Sequence, residues 1–129
     1  VRMINKIKDF TDLNTWKESH SLVLMIYHVT KSFPKSELFS LTDQIRRCAV
    51  SITSNIAEGF GRQTYKDKIH FYYIAQGSLI ELKNQLLIAR DIQYITNLEY
   101  DTVFAQANIS HQLLQGLIRK SKIYLNNKS

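Results

Sequence analysis

Residues 41–60 read LTDQIRRCAVSITSNIAEGF and predict a long α-helix that is covered on more than one side. At about 100° per residue, the side chains suited to burial spread over roughly 200° of the helix surface. They are Leu41, Ile45, Cys48, Ala49, Val50, Ile52, Thr53, Ile56 and Ala57. The remaining arc is polar, and Ser40 is the expected N-terminal cap. Because a surface helix needs only one apolar stripe, this segment predicts a helical bundle.

Three further segments show helical spacing: residues 15–34, 64–93 and 96–125. Each begins with a threonine followed three residues later by an acid, the pattern of a capping box. The pairs are Thr15 with Glu18, Thr64 with Asp67, and Thr96 with Glu99. The connections between the four helical segments are about two to seven residues long, and connections of this length favour an antiparallel up-down-up-down four-helix bundle. Residues 1–12 are predicted to form a flexible N-terminal segment of one domain that spans residues 1–129.

The composition supports this all-α fold. The chain has 129 residues, enough for one domain, and 44% of them are hydrophobic. With 4 glycines and 1 proline it lacks the turn residues that a β-sandwich or β-barrel consumes. Cys48 is the single cysteine and is expected to be buried, and no signal peptide or membrane-length apolar run is visible. We therefore expect a cytoplasmic protein with no membrane contact.

Antiparallel threading predicts that the net charge collects at one end of the bundle, which we name the basic pole. The basic residues expected there are Arg2, Lys6, Lys8, Lys17, Arg62, Lys66, Lys68, Arg119, Lys120, Lys122 and Lys128, and the acids are Asp9, Asp12, Glu18, Glu58 and Asp67. This end then carries +6, the formal net charge of the chain, and the opposite pole carries none.

The functional interpretation of the basic pole is a surface that binds RNA or DNA, because neutralised phosphates release counterions. The residues predicted to contact phosphates are Arg62, Lys66, Lys68, Arg119, Lys120 and Lys122. The alternative is a solvated end whose cations suit helix C-termini.

Polar residues among the apolar stripes form a second group of interest. Asn55 and Glu58 lie on the polar arc of the second helix, and Glu81 lies at the edge of the stripe on the third. They are interpreted as a polar cluster that fixes helix register, or as contacts between subunits together with Arg46, Arg47 or Arg62. Acid–base chemistry is the other interpretation, but no nucleophile accompanies them.

The sequence offers no catalytic or metal-binding set. A carboxylate-bridged di-iron site needs two Glu-x-x-His pairs, and only Asp67 and His70 show a similar spacing. We expect no enzyme activity, cofactor, metal or small-molecule substrate. Aromatic residues accompany Lys66 and Lys68 near the start of the third helix. They are Tyr65, Phe71, Tyr72 and Tyr73, and they either pack in the bundle or stack on unpaired bases.

Two motifs point to a known family. Residues 44–62, QIRRCAVSITSNIAEGFGR, resemble the signature of the four-helix bundle proteins encoded by intervening sequences in bacterial 23S ribosomal RNA genes. Residues 74–82, IAQGSLIEL, resemble the second motif of that family, and residues 10–16 with 32–35 are similar to its N-terminal stretch.

The resemblance carries expectations beyond the residues themselves. It implies a homopentameric ring of four-helix bundles, related to the accessory protein of diversity-generating retroelements, a similar basic pentamer that engages nucleic acid and a reverse transcriptase. It implies no established enzymatic activity. Two positions depart from the family pattern: Thr53 stands where proline is common, and Gln76 where arginine is usual.

Two hypotheses follow. In the first, the protein is a non-enzymatic homo-oligomer that binds structured RNA or DNA through the basic pole. In the second, it is a protein-interaction scaffold or an accessory subunit, for example of a reverse transcriptase, and makes no direct contact with nucleic acid. Apolar stripes left over on the second and third helices suit self-assembly in either case.

Overall fold

The structure, a computed structural model, describes residues 6–128 and contains four long α-helices. They are α1 (Asn14–Val29), α2 (Leu41–Gly61), α3 (Tyr65–Asp91) and α4 (Asn97–Lys128). Short 3-10 turns lie at Phe10–Asp12, Thr30–Ser32 and Lys35–Glu37. Residues 6–128 contain no β-strand. The predicted all-α four-helix fold is confirmed.

Consecutive helices run antiparallel. The ring of Tyr65 at the start of α3 contacts that of Tyr124 near the end of α4. Further along α3, the ammonium of Lys83 contacts His111, which lies earlier in α4, so the two helices run in opposite directions. Hydrogen bonds between α1 and α4 and between α2 and α3 show the same relation. Each helix packs against two neighbours, as in an up-down-up-down bundle.

The core runs along the bundle axis and receives side chains from all four helices. Its fully buried aliphatic members include Leu22, Ile26, Ile45, Ile52, Ile56, Leu79, Leu82, Leu86 and Leu114. Burying each such side chain contributes about 1.5–3 kcal/mol before chain entropy is subtracted. Val50, which the sequence placed in the apolar arc of α2, is exposed instead, so the buried face of α2 is narrower than predicted.

The close approach of α2 and α3 depends on Gly59. A Cβ atom at this position would lie 2.7 Å from Cε1 of Tyr72 and 3.1 Å from the carbonyl oxygen of Lys68. Real Cβ atoms do not approach ring carbons so closely, and the ring of Tyr72 is itself buried. The glycine therefore lets the last turn of α2 lie directly against the first turns of α3.

The predicted caps have mixed outcomes. Thr96 and Glu99 form the predicted capping box, with hydrogen bonds of 2.9 and 3.0 Å in the two directions, and Thr64 accepts the backbone N–H of Asp67 as predicted. The Thr15–Glu18 box is wrong: α1 begins earlier, and the hydroxyl of buried Thr15 donates to the carbonyl of Leu113 on α4. Ser40 precedes α2, but its hydroxyl donates to Glu37 and does not cap the helix.

Part of the N-terminal segment is ordered against the bundle. Phe10–Asp12 form a 3-10 turn capped by Asp9, and the ring of Phe10 packs edge-on against Trp16 with centroids 5.4 Å apart. The flexibility expected for residues 1–5 lies outside the described residues. α2 is continuous through Thr53, whose hydroxyl donates to the carbonyl of Val50.

Candidate nucleic-acid interface

Three helix ends meet at the basic pole: the C-terminal ends of α2 and α4 and the N-terminal end of α3. These ends and Arg62, the residue after α2, carry all six residues predicted to contact phosphates. Among the described side chains, helix direction assigns nine basic and five acidic groups to this pole and six of each to the opposite pole. The structure moves some of them toward the middle of the bundle, because Glu18 lies against Gln106 and Lys83 against His111. Arg2 and the side chain of Lys128 lie outside the described part of the chain.

Arg62 is partly neutralised where it stands. Its guanidinium lies 3.0 Å from a carboxylate oxygen of Glu58, one turn earlier, and its Cζ lies 4.5 Å from the ring centroid of Phe71. Glu58 is therefore the partner of Arg62 rather than a member of a separate polar cluster. The pair holds Arg62 against α3 and leaves about half of each side chain exposed.

Lys68 joins the start of α3 to the end of α2. Its ammonium donates to the carbonyl of Phe60 at 2.6 Å and lies 5.2 Å from the ring centroid of Phe60. Burial lowers the pKa of Lys68. The side chain thus satisfies a backbone oxygen in the last turn of α2, and less of its charge faces solvent than the sequence alone suggests.

The remaining four cations are exposed. Lys120 and Lys122 lie beside aromatic rings on their own or the neighbouring helix, with ammonium-to-centroid distances of 5.8 Å to Tyr124 and 4.9 Å to Tyr73. Lys66 and Arg119 make no ion pair within the described residues. These four side chains, carried by α3 and α4, are the ones positioned to meet an approaching polyanion.

A pocket opens between these helix ends, and we name it the pole pocket. Its volume is about 230 Å³, and its walls include Phe60, Tyr65, Lys68, Tyr72, Lys120 and Tyr124. The ring centroids of Tyr65 and Tyr124 lie 5.2 Å apart, a contact that the periodicity of the sequence did not predict. Of the aromatic residues singled out near Lys66, Tyr72 is buried, which raises its pKa to about 12, and Tyr73 is exposed outside this pocket, beside Lys122 of α4.

The three polar residues predicted as a cluster are not brought together. Asn55 donates to the carbonyl and hydroxyl of Ser51, and that hydroxyl lies 2.9 Å from the hydroxyl of Ser78 on α3. Glu81 is exposed and accepts a 3.4 Å hydrogen bond from Gln85. Asn55 therefore takes part in a seam between α2 and α3, and Glu81 remains at its outer edge.

The two adjacent arginines of α2 have different surroundings. Arg46 donates to the hydroxyl of Thr30 at 2.8 Å, and its guanidinium lies 4.9 Å from the ring centroid of Tyr27, so it joins α2 to α1 within one chain. Arg47 is largely exposed and pairs with Asp43 at 2.8 Å, one turn earlier. Of the two, Arg47 is the more exposed and Arg46 is partly buried.

Cys48 lies inside the α2–α3 seam, as predicted for a buried cysteine. Its thiol donates to the carbonyl of Ser78 at 3.0 Å, and burial, assisted by the negative charge of Glu81, raises its pKa to about 12. The thiol is therefore protonated at neutral pH and is a poor nucleophile. Within residues 6–128 there is no group of three or more potential metal ligands and no helix apolar and long enough to cross a membrane.

Comparisons with known proteins give one family and one fold. The profile of the 23S rRNA-intervening sequence protein family matches residues 11–116. Among solved structures, the chain is similar to the crystal structure of a protein with unknown function from the S23 ribosomal protein family of Bacteroides thetaiotaomicron VPI-5482. The TM-score is 0.75 at 24% identity, over 81% of this chain and 95% of that chain, which is a likeness of fold. No curated protein matches the chain significantly.

Proposed function

Because the chain belongs to the 23S rRNA-intervening sequence protein family, we propose that it is a non-enzymatic homo-oligomer that binds structured RNA or DNA through its basic pole. The observation that carries the proposal is the arrangement of Lys66, Arg119, Lys120 and Lys122. These four exposed cations lie on two adjacent helix ends. Such a group of positive charges attracts phosphate groups and orients the protein as it approaches them.

A salt titration of fluorescence polarisation with an RNA hairpin tests this proposal. Wild type should bind at low salt and lose affinity steeply as salt rises. The double variant Lys66→Gln/Arg119→Gln should reduce the magnitude of the slope of log affinity against log salt by about 2. The reason is that each lost phosphate contact lowers that magnitude by about 1. Lys31→Gln/Lys35→Gln removes the same charge from the opposite pole and should leave the slope unchanged.

The scaffold hypothesis predicts a different result from the same titration. Absence of binding at low salt, or an affinity that does not respond to salt, would remove the nucleic-acid proposal. Co-purification with a protein such as a reverse transcriptase, free of nucleic acid, would then favour an accessory subunit. The proposed location is the cytoplasm in both cases, in keeping with a single cysteine that forms no disulfide within the chain.

Self-assembly is supported by a protrusion and a groove at the opposite pole. The protrusion consists of Leu38 and Phe39 between α1 and α2, and the side chain of Phe39 is 92% exposed. The groove, about 490 Å³ in volume, lies between α1 and α4 and is lined mainly by apolar groups. Its lining includes Leu24, Met25, His28, Val29, Leu98 and Thr102. We propose that the protrusion of one copy enters the groove of the next.

Because protrusion and groove are different patches, the contact is heterologous and repeats around a ring. The family resemblance implies five copies, and such a ring would gather several basic poles on one face.

Light scattering coupled to size-exclusion chromatography tests the assembly. Wild type should have about five times the 15.1 kDa mass of one chain. Phe39→Asp and Leu98→Asp should each give monomers, because each removes one side of every contact. A mixture of the two variants should form heterodimers, since one intact protrusion still meets one intact groove. A wild-type monomer, or variants that still form rings, would contradict this arrangement.

A further inference from the structure

The pole pocket brings aromatic rings and cations together in one concave site. Four of its lining residues are aromatic, with the rings of Tyr65 and Tyr124 tilted by 41° to each other and the ammonium of Lys68 lying 5.2 Å from the ring centroid of Phe60. Its cations are Lys68, held at the end of α2, and Lys120, exposed beside Tyr124. A ligand that fills it must offer a flat surface for the rings and a negative charge for the lysines.

The pocket is small and lies within the basic pole. A volume of about 230 Å³ between three helix ends has room for one planar ring system but none for the end of a duplex. Tyr124 is 41% exposed, so its ring is accessible from solvent, whereas Tyr72 closes the bottom of the pocket from the core. The exposed lysines around it belong to the surface for which phosphate contacts are proposed above.

We propose that the pole pocket receives one unpaired base of the bound RNA or DNA, which stacks on Tyr124 while Lys120 meets the adjoining phosphate. This inference rests on the proposed function and adds the class of ligand to it. A base inside a duplex presents only its edges and cannot enter, whereas a base in a loop, bulge or single-stranded end exposes its face. The protein therefore prefers nucleic acids with unpaired nucleotides over perfect duplexes.

Three probes of equal phosphate number test this preference by fluorescence polarisation at one fixed salt concentration. They are a single-stranded oligouridine, its abasic analogue, and a blunt duplex with the same number of phosphates. Wild type should bind oligouridine more tightly than the abasic analogue by a factor between about 5 and 150, the range expected for stacking of one base. The duplex should bind no better than the abasic strand.

Variants then locate the contact. Tyr124→Ala should abolish the preference for oligouridine over the abasic strand, and Tyr124→Phe, which keeps the ring, should retain it. Tyr27→Ala is the matched control, because Tyr27 has the same exposure of 41% and an arginine beside its ring but lies outside the basic pole. It should leave the preference unchanged. Circular dichroism of each variant checks that helix content is preserved.

The outcomes separate this inference from the function on which it rests. Equal, salt-dependent affinity for oligouridine and the abasic strand would overturn the base pocket and leave phosphate binding at the basic pole intact. Equal effects of Tyr124→Ala and Tyr27→Ala on the preference would also overturn it. Absence of binding to all three probes at low salt would overturn both proposals together.

Discussion

The two poles of the bundle differ in how their charged and apolar side chains are arranged. At the basic pole, four exposed cations lie on the ends of α3 and α4, and two of these, Lys120 and Lys122, lie beside exposed tyrosines. At the opposite pole, ion pairs such as Arg47–Asp43 and Arg90–Asp91 neutralise charge locally. That pole also exposes large apolar side chains, above all those of Phe39 and Leu98. The proposed binding of a polyanion and the proposed contact between copies can thus be tested by separate substitutions.

The largest effect on stability is expected at the basic pole, where Gly59 of α2 lies against the ring of Tyr72 on α3. Gly59→Ala places a Cβ against the ring of Tyr72 and should lower the free energy of unfolding by about 1–3 kcal/mol, the usual cost of overpacking. Gly61→Ala, two residues on, meets no atom within 4 Å and serves as the control. Urea denaturation measures both. Equal midpoints for the two variants would show that the contact is not tight.

Helix caps allow the two poles to be compared directly. Thr96→Ala at the opposite pole removes half of a reciprocal capping box and should cost about 1–2 kcal/mol. Thr64→Ala at the basic pole removes one capping hydrogen bond, 3.1 Å long, and should cost about 0.5–1 kcal/mol. Thermal unfolding followed by circular dichroism ranks them. A larger loss for Thr64→Ala would reverse the expected order.

The middle of the bundle is expected to respond to pH. His111 lies 2.9 Å from the ammonium of Lys83, and burial together with this charge lowers the pKa of His111 from 6.5. As pH falls through 6.5, the unfolded chain takes up a proton before the folded chain does, so stability is present above pH 6.5 and declines below it. Wild type should therefore lose urea resistance between pH 7.5 and 5.5.

The variant His111→Gln isolates this contribution. Its urea midpoint should change less between the two pH values than that of wild type, whereas His70→Gln, at an exposed position, should behave like wild type. The carboxyl groups of Asp12 and Glu37, whose pKa values are lowered by hydrogen bonds, stay ionised in this pH range and do not contribute. The same pH response in His111→Gln as in wild type would assign it to other groups.

The smallest effects on stability come from two ion pairs on α2, one toward each pole. Glu58→Gln and Asp43→Asn each break an exposed pair one turn long and should cost about 0.3–0.5 kcal/mol. Their effects on RNA binding should differ. Glu58→Gln frees Arg62 at the basic pole and should tighten binding to a hairpin at low salt, while Asp43→Asn should leave it unchanged. Equal affinities would mean that Arg62 takes no part.

Local patterns in the sequence predicted what a single helix determines. The four helices, the Thr96–Glu99 box and the Thr64 cap depend on residues three or four positions apart, which share a helix surface. Contacts between helices depend on their relative position along the bundle axis, and one-dimensional spacing does not contain it. Thr15 has the spacing of a capping residue, but its hydroxyl donates to the carbonyl of Leu113 on another helix, and spacing within one helix does not reveal that partner.

The candidate site shows the same limit. The gathering of cations at one pole follows from helix direction alone, so it could be read from the sequence. The role of Lys68 at the end of α2 and the meeting of Tyr65 with Tyr124 required the packed structure. Asn55, Glu58 and Glu81 looked alike in sequence, yet each has a different neighbour, because a rotation of one residue moves a side chain by about 100° around the helix.

The buried thiol of Cys48 has a practical consequence for such experiments. It is the single cysteine of the chain, it is covered by α3, and it stays protonated at neutral pH. Maleimide dyes react with thiolates, so the native protein should take up almost no label while folded. A new cysteine at an exposed position such as Ser36 would then be labelled alone, and energy transfer between such dyes would report the spacing of neighbouring copies.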